Sequence, residues 1–139
     1  MSRLALVLGL GLALSCLSAG CTAQPLDEAA LRAKESALNK LAASLESAVR
    51  YQDAPATLTE EQLKAFAIKD DPAQLEPFKD LLVRVRRQGK DSSVLVCTAD
   101  GARALWEDAG CTPPPDGRYW DKSPPVACAF QLDLAQTCR

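Results

Sequence analysis

Histidine is absent from all 139 residues. Without it there is no Ser-His-Asp or Cys-His catalytic set, and the usual near-neutral proton shuttle is missing. Hydrolases of those kinds are excluded. The six cysteines include no Cys-x-x-Cys pair, which argues against a zinc site and against disulfide exchange. With only seven glycines, the chain has no Gly-x-x-x-x-Gly-Lys loop and no Gly-x-Gly-x-x-Gly turn to cradle a phosphate. No cofactor and no metal is implied. An excess of basic charge is lacking too: 16 Lys and Arg stand against 18 Asp and Glu, a balance that argues against nucleic acid as a partner. The longest apolar run, Leu4–Leu14, has eleven residues, too few for a spanning helix, which needs about 20.

That run is informative by its setting. Arg3 precedes it, and the small residues Ser18, Ala19 and Gly20 follow just before Cys21. A positive start, an apolar centre and a small-residue cut site are the three parts of a secretory signal. Leu17-Ser18-Ala19-Gly20-Cys21 resembles the lipobox of bacterial lipoproteins. The resemblance covers the signal and its cut site only and carries no fold for the rest. It implies that residues 1–20 are removed and that Cys21 carries a thioether-linked diacylglycerol plus an amide-linked acyl chain such as palmitate. Two or more chains anchor stably, at about 0.8 kcal/mol per buried CH₂. Thr22 stands where an Asp commonly retains such proteins at the inner membrane, so the resemblance favours the periplasmic leaflet of the outer membrane. Residues 21–25 then form a lipidated tether and 26–139 one small periplasmic domain, since this length suits one modest core. Loss of Arg3 leaves 15 − 18 = −3 as the mature charge.

Cys16 leaves with the signal and Cys21 takes lipid. Cys97, Cys111, Cys128 and Cys138 remain, an even count in an exported chain, and read as two disulfides. Three connectivities are open. The nested one, Cys97 with Cys138 and Cys111 with Cys128, is slightly preferred because it closes the Pro-rich loop at its base.

The coarse pattern is α+β. Leu31, Leu38 and Leu45 recur every seven residues without internal Gly or Pro, predicting a helix over about 26–51 that Asp27 or Gln24 caps. Packing on its own domain competes with a coiled-coil role, against which Lys34 at an inner position argues. Thr59-Glu60-Glu61-Gln62 forms a capping box for a helix over about 59–69. Leu75, Phe78 and Leu82 suggest another over about 73–82, although Leu81, Val83 and Val85 also alternate as in a strand. Gln88–Asp91 is a turn, and a strand follows over about 93–97. Asp100-Gly101 signals a hairpin, in competition with a helix over 102–109 whose face holds Ala102, Leu105, Trp106 and Ala109; the helix is preferred. Cys128, Phe130, Leu132 and Leu134 alternate and predict a strand over about 127–134.

Candidate functional residues are few. Arg84-Val85-Arg86-Arg87 with Lys90 is the one basic cluster, a solvated face or a docking patch. Glu107, Asp108, Asp116 and Asp121 could serve a cell-wall glycosidase if two stood about 5–10 Å apart, but acidic side chains are ordinary surface residues here. Between Cys111 and Cys128, five prolines surround Arg118, Tyr119, Trp120 and Asp121, types that suit partner binding from a rigid loop. Against this, Tyr119 or Trp120 could fold inward in a chain with so few aromatics. The favoured expectation is a non-enzymatic binding or envelope-adaptor lipoprotein with a protein partner. An immunity or inhibitor protein against a secreted toxin or lytic enzyme is the alternative, and the glycosidase comes third.

Overall fold

The computed structural model describes residues 27–113 and 115–139; the signal, Cys21 and the tether lie outside them. The described chain is α+β, a long helix followed by a four-stranded antiparallel sheet with two disulfides. Helix α1, Glu28–Arg50, starts where the Asp27 carboxylate accepts from the N–H groups of Ala29 and Ala30. Glu28 in its first turn and Arg50 in its last complement the helix dipole. Its Leu31, Leu38, Leu41 and Leu45 are buried against the protein's own sheet, and the Lys34 ammonium donates to the Pro77 carbonyl. Helix α2, Glu60–Ala67, has the expected capping box, with Thr59 and Gln62 each bonding the other's backbone N–H.

The segment after α2 departs from the expected helix over 73–82. Residues Pro72–Phe78 form a 3-10 helix, and β1 begins at Leu81. Pro77 is the physical reason: it has no N–H to give an α-helix and its ring clashes with the carbonyl four residues back. Strand β1 runs Leu81–Gln88, β2 Asp91–Thr98, β3 Ala104–Ala109 and β4 Gly117–Arg118, in spatial order β1-β2-β3-β4. Gly89 closes the first hairpin at φ 63° and Gly101 the second at φ 70°, conformations that cost glycine little.

Residues 102–109 are mostly strand, not the helix that their apolar spacing predicts. The register between β2 and β3 slips at one point: Val96 faces Trp106 but Cys97 faces Ala104. The extra residue, Leu105, makes a bulge, which sends Leu105 and Trp106 to the same, helix-covered face. Adjacent apolar residues on one side imitate the i, i+1 step of a helical stripe, so the bulge accounts for the misleading spacing.

The expected strand over 127–134 is corrected as well. Only Ala127 makes a bridge, to Arg103, and Leu134–Thr137 is a short helix, α3. The stretch is an extended strap across the sheet face opposite α1, where Val126, Cys128 and Phe130 pack on Leu95, Cys97 and Ala104. Alternation does turn those side chains inward, but a segment lying across a face has no neighbouring strand with which to form a ladder.

The disulfides are Cys97–Cys128 and Cys111–Cys138, with Cα separations of 5.8 and 5.6 Å. This replaces the nested pairing. Cys97 lies on the strap-covered face near the Asp100-Gly101 turn, beneath the start of the strap, whereas Cys111 follows the opposite end of β3 and meets the chain end. Nested bonds would have to join opposite ends of the sheet.

Candidate functional site

The loop carrying Arg118–Asp121 folds onto α1 rather than away from it. Arg118 Nε and Nη2 donate to the two Glu35 oxygens at 2.9 Å each. Trp120 is only 5% exposed and joins the main core. Arg32 and Arg118 lie 5.5 and 6.0 Å from its ring centroid, and its carbonyl accepts from Arg103. The Tyr119 hydroxyl donates to Glu107 Oε2 at 3.3 Å. Burial, then the Glu107 carboxylate, push that phenol's pKa up to about 12, so it stays a neutral donor. Of the four loop candidates, Arg118 and Asp121 are exposed, followed by the exposed run Lys122–Pro125.

Of the four acidic candidates, Asp108 and Asp116 are brought close to each other, while Glu107 and Asp121 stand apart from them. Glu107 and Asp108 are adjacent in β3 and therefore point to opposite faces of the sheet, and both are fully buried. Glu107 faces the strap and organises it. Its Oε2 accepts from the backbone N–H of Gln131 at 2.7 Å and of Leu132 at 3.2 Å. Its Oε1 is 3.4 Å from Arg86 Nη2 and 3.5 Å from Ser93 Oγ. Asp108 sits opposite Val94 on the helix side, and neither of its oxygens receives a hydrogen bond. Burial, then the Asp116 carboxylate, push its pKa up to about 8. At that value the group is mostly protonated at neutral pH, beside the Asp116 carboxylate. Asp116 Oδ2 in turn accepts from the Ala109 N–H at 2.8 Å and the Thr112 hydroxyl at 2.7 Å, fastening the start of the Pro-rich loop to β3. Asp121 is on the surface, 3.9 Å from Lys122.

The basic cluster is mostly engaged within the fold. Arg84 reaches Glu60 at 3.3 Å and lies over the Phe130 ring at 5.3 Å. Arg86 donates to the Leu132 carbonyl at 2.6 Å and lies 4.7 Å from the same ring. Arg87 donates to the carbonyls of Ala54 and Gly89 at 2.6 and 2.8 Å. Among these basic residues Lys90 alone is exposed. Sequence reading missed the internal role because charge spacing does not report what crosses above a strand.

Two grooves open at the end of the molecule where α1 finishes. One, of about 500 Å³, is lined by Glu46, Arg50, Tyr51, Gly110 and the Cys111–Cys138 disulfide. The other, of about 540 Å³, runs beside β1 past Pro55, Leu58, Glu60 and Arg87. Tyr51 is 77% exposed, a large apolar side chain left in solvent; no periodicity singled it out, since it merely ends the helix. Gly110 sets the floor of the first groove, because a Cβ there would meet Ala42 O at 2.6 Å and Glu46 Cβ at 2.5 Å. Among the described residues no three His, Cys, Asp or Glu gather as a metal site. Among known protein families, curated proteins and solved structures, none matches the chain.

Proposed function

We propose that this chain is an exported lipoprotein, anchored through Cys21 in the periplasmic leaflet of the outer membrane, with a non-enzymatic binding or adaptor role toward an envelope protein. The lipobox Leu17–Cys21 carries the reading. Two disulfides in the domain support it, because an oxidising compartment forms and keeps such bonds. The non-catalytic part is supported by the burial of Glu107 and Asp108, which withdraws two of the four candidate carboxylates from any substrate. An inhibitor that inserts an aromatic loop would need Tyr119 and Trp120 outside, and both turn inward; that alternative loses its probe.

Growth with an alkyne analogue of palmitate, followed by envelope fractionation, tests the anchor. Label on the mature protein in the outer-membrane fraction is expected, and Cys21→Ala should lose both label and membrane association. Label that persists in Cys21→Ala, or a variant that still fractionates with the membrane, rejects the anchor. For the partner, photo-crosslinking residues placed singly at Asp121 and at Tyr51 should trap one discrete envelope protein at one of the two positions. Trapping of phospholipid alone at both positions would reject a protein partner.

A further inference from the structure

Helix α1 orders the surface of the domain into two ends. At its start, Glu35 holds Arg118, Arg32 lies on Trp120, and Lys34 holds Pro77. At its finish, Arg50 pairs with Asp91 and Glu46 accepts from the Ser92 hydroxyl at 2.7 Å. The exposed run Asp121–Pro125 thus belongs to the first end, and Tyr51 with the Gly89-Lys90 turn to the second. Arg32 and Glu35 stand 18 and 15 residues before Arg50 on α1, which sets the ends roughly 25 Å apart at 1.5 Å per residue.

We infer that the first end, through Asp121–Pro125, rests on the lipid headgroups of the leaflet that holds the anchor, and that the Tyr51 end faces away from it. The inference rests on the lipid anchor proposed for Cys21. Six residue steps separate Cys21 from Asp27, and even fully extended they reach only about 20 Å at 3.3–3.6 Å per residue. Whatever path those residues take, the start of α1 cannot leave the headgroup region by more than that. A large protein partner therefore has little room at Arg118–Pro125, while the grooves beside Tyr51 lie at the far end of α1.

The chemistry of the first end names the contact more closely. Asp121, Lys122, Ser123, Pro124 and Pro125 carry no large apolar side chain and are all exposed, so the loop suits headgroups and not acyl chains. Charges are mixed: Arg32 pairs with Glu28, Arg118 with Glu35, and Lys122 lies near Asp121. This is no polybasic patch of the kind that binds anionic lipid by attraction. Contact follows from the tether's effective concentration and should persist in high salt, where attraction between exposed charges is screened.

Lysine acylation on vesicles tests the orientation. The lipidated protein is reconstituted in vesicles of phosphatidylcholine and phosphatidylglycerol and labelled briefly with an amine-reactive ester, beside a variant carrying a long Gly/Ser insert between Gln24 and Pro25. Mass spectrometry reads the labelling of Lys122 relative to Lys90, and the mass of the peptide bearing Cys21. The expected result is a diacylglyceryl-bearing Cys21 peptide, with the Lys122 to Lys90 ratio several-fold lower in the native tether than in the lengthened one, at low and high salt alike. Equal ratios in the two proteins, or protection of Lys90 instead, would overturn the orientation and leave the anchor standing. A Cys21 peptide without lipid would overturn both.

Discussion

On its helix-covered face the sheet buries Val83, Val85, Val94, Val96, Leu105 and Trp106 against the leucines of α1. On the opposite face Leu95, Cys97 and Ala104 are fully buried under a strap that has almost no secondary structure. The first face is closed mainly by hydrophobic area, with Glu46–Ser92 and Arg50–Asp91 at its margin. The second is closed by a disulfide, a buried carboxylate that receives the strap's N–H groups, and two guanidinium groups over Phe130. A domain of this size runs short of apolar side chains to cover both faces. Where area is lacking, covalent and charge-assisted contacts hold the chain, and they need specific partners.

That contrast can be broken from either side. Leu41→Ala empties a fully buried site in the helix-covered core and should cost about 3–5 kcal/mol, read as a lowered denaturation midpoint with the slope unchanged. Replacing Cys97 and Cys128 together by Ala removes the strap's covalent tie across 31 residues and should cost about 3 kcal/mol. Hydrogen exchange should then rise over 126–132 before it rises in α1; uniform loosening of both faces would deny that they are separate closures. Glu107→Gln keeps the shape but sets an amide N–H₂ among donors, with a loss of about 2 kcal/mol for the unsatisfied groups. Its chemical-shift changes should centre on Gln131 and Leu132.

A titration gives the slowest-varying effect. Asp108 has its folded-state pKa raised to about 8, well above the ordinary carboxyl value near 4. Between those values the folded protein binds more protons than the unfolded chain, so stability falls as pH rises from about 4 to about 8. The slope from this group reaches about 1.4 kcal/mol per pH unit and vanishes outside the window. Asp108→Asn is permanently neutral and should flatten that slope, with the melting temperature gaining most near pH 8 and least near pH 4. An unchanged profile would mean that Asp108 is ionised in the fold.

Much of the helical half was legible because its signals are local. The seven-residue leucine spacing, Asp27 at the start of α1 and the Thr59–Gln62 box each act within a few residues, and each stands in the fold. The sheet was legible in part: Gly89 turns the first hairpin where composition placed a turn, whereas the hairpin signal at Asp100-Gly101 lost to a helical spacing that the fold does not use. It failed at 73–82 because Pro77 weighed too little against apolar spacing, and at 102–109 because a bulge puts neighbours on one face. The candidate loop was found, but its orientation was not, since Trp120 could serve a core or a partner equally well by type.

The sequence by itself determined the α+β class, the ends of α1 and α2, the turn at Gly89, and the oxidised state of the four late cysteines. Only the tertiary structure decided that Cys97 pairs with Cys128 and Cys111 with Cys138, that 127–134 straps a face instead of extending the sheet, and that Trp120 turns inward. The reason is physical. Periodicity and capping report which side of a segment is wet or dry and where it stops, because those forces act along the chain. Which segment supplies the other half of a disulfide, or the N–H groups for a buried Glu107, depends on what folding brings across the gap from 24 or 31 residues away.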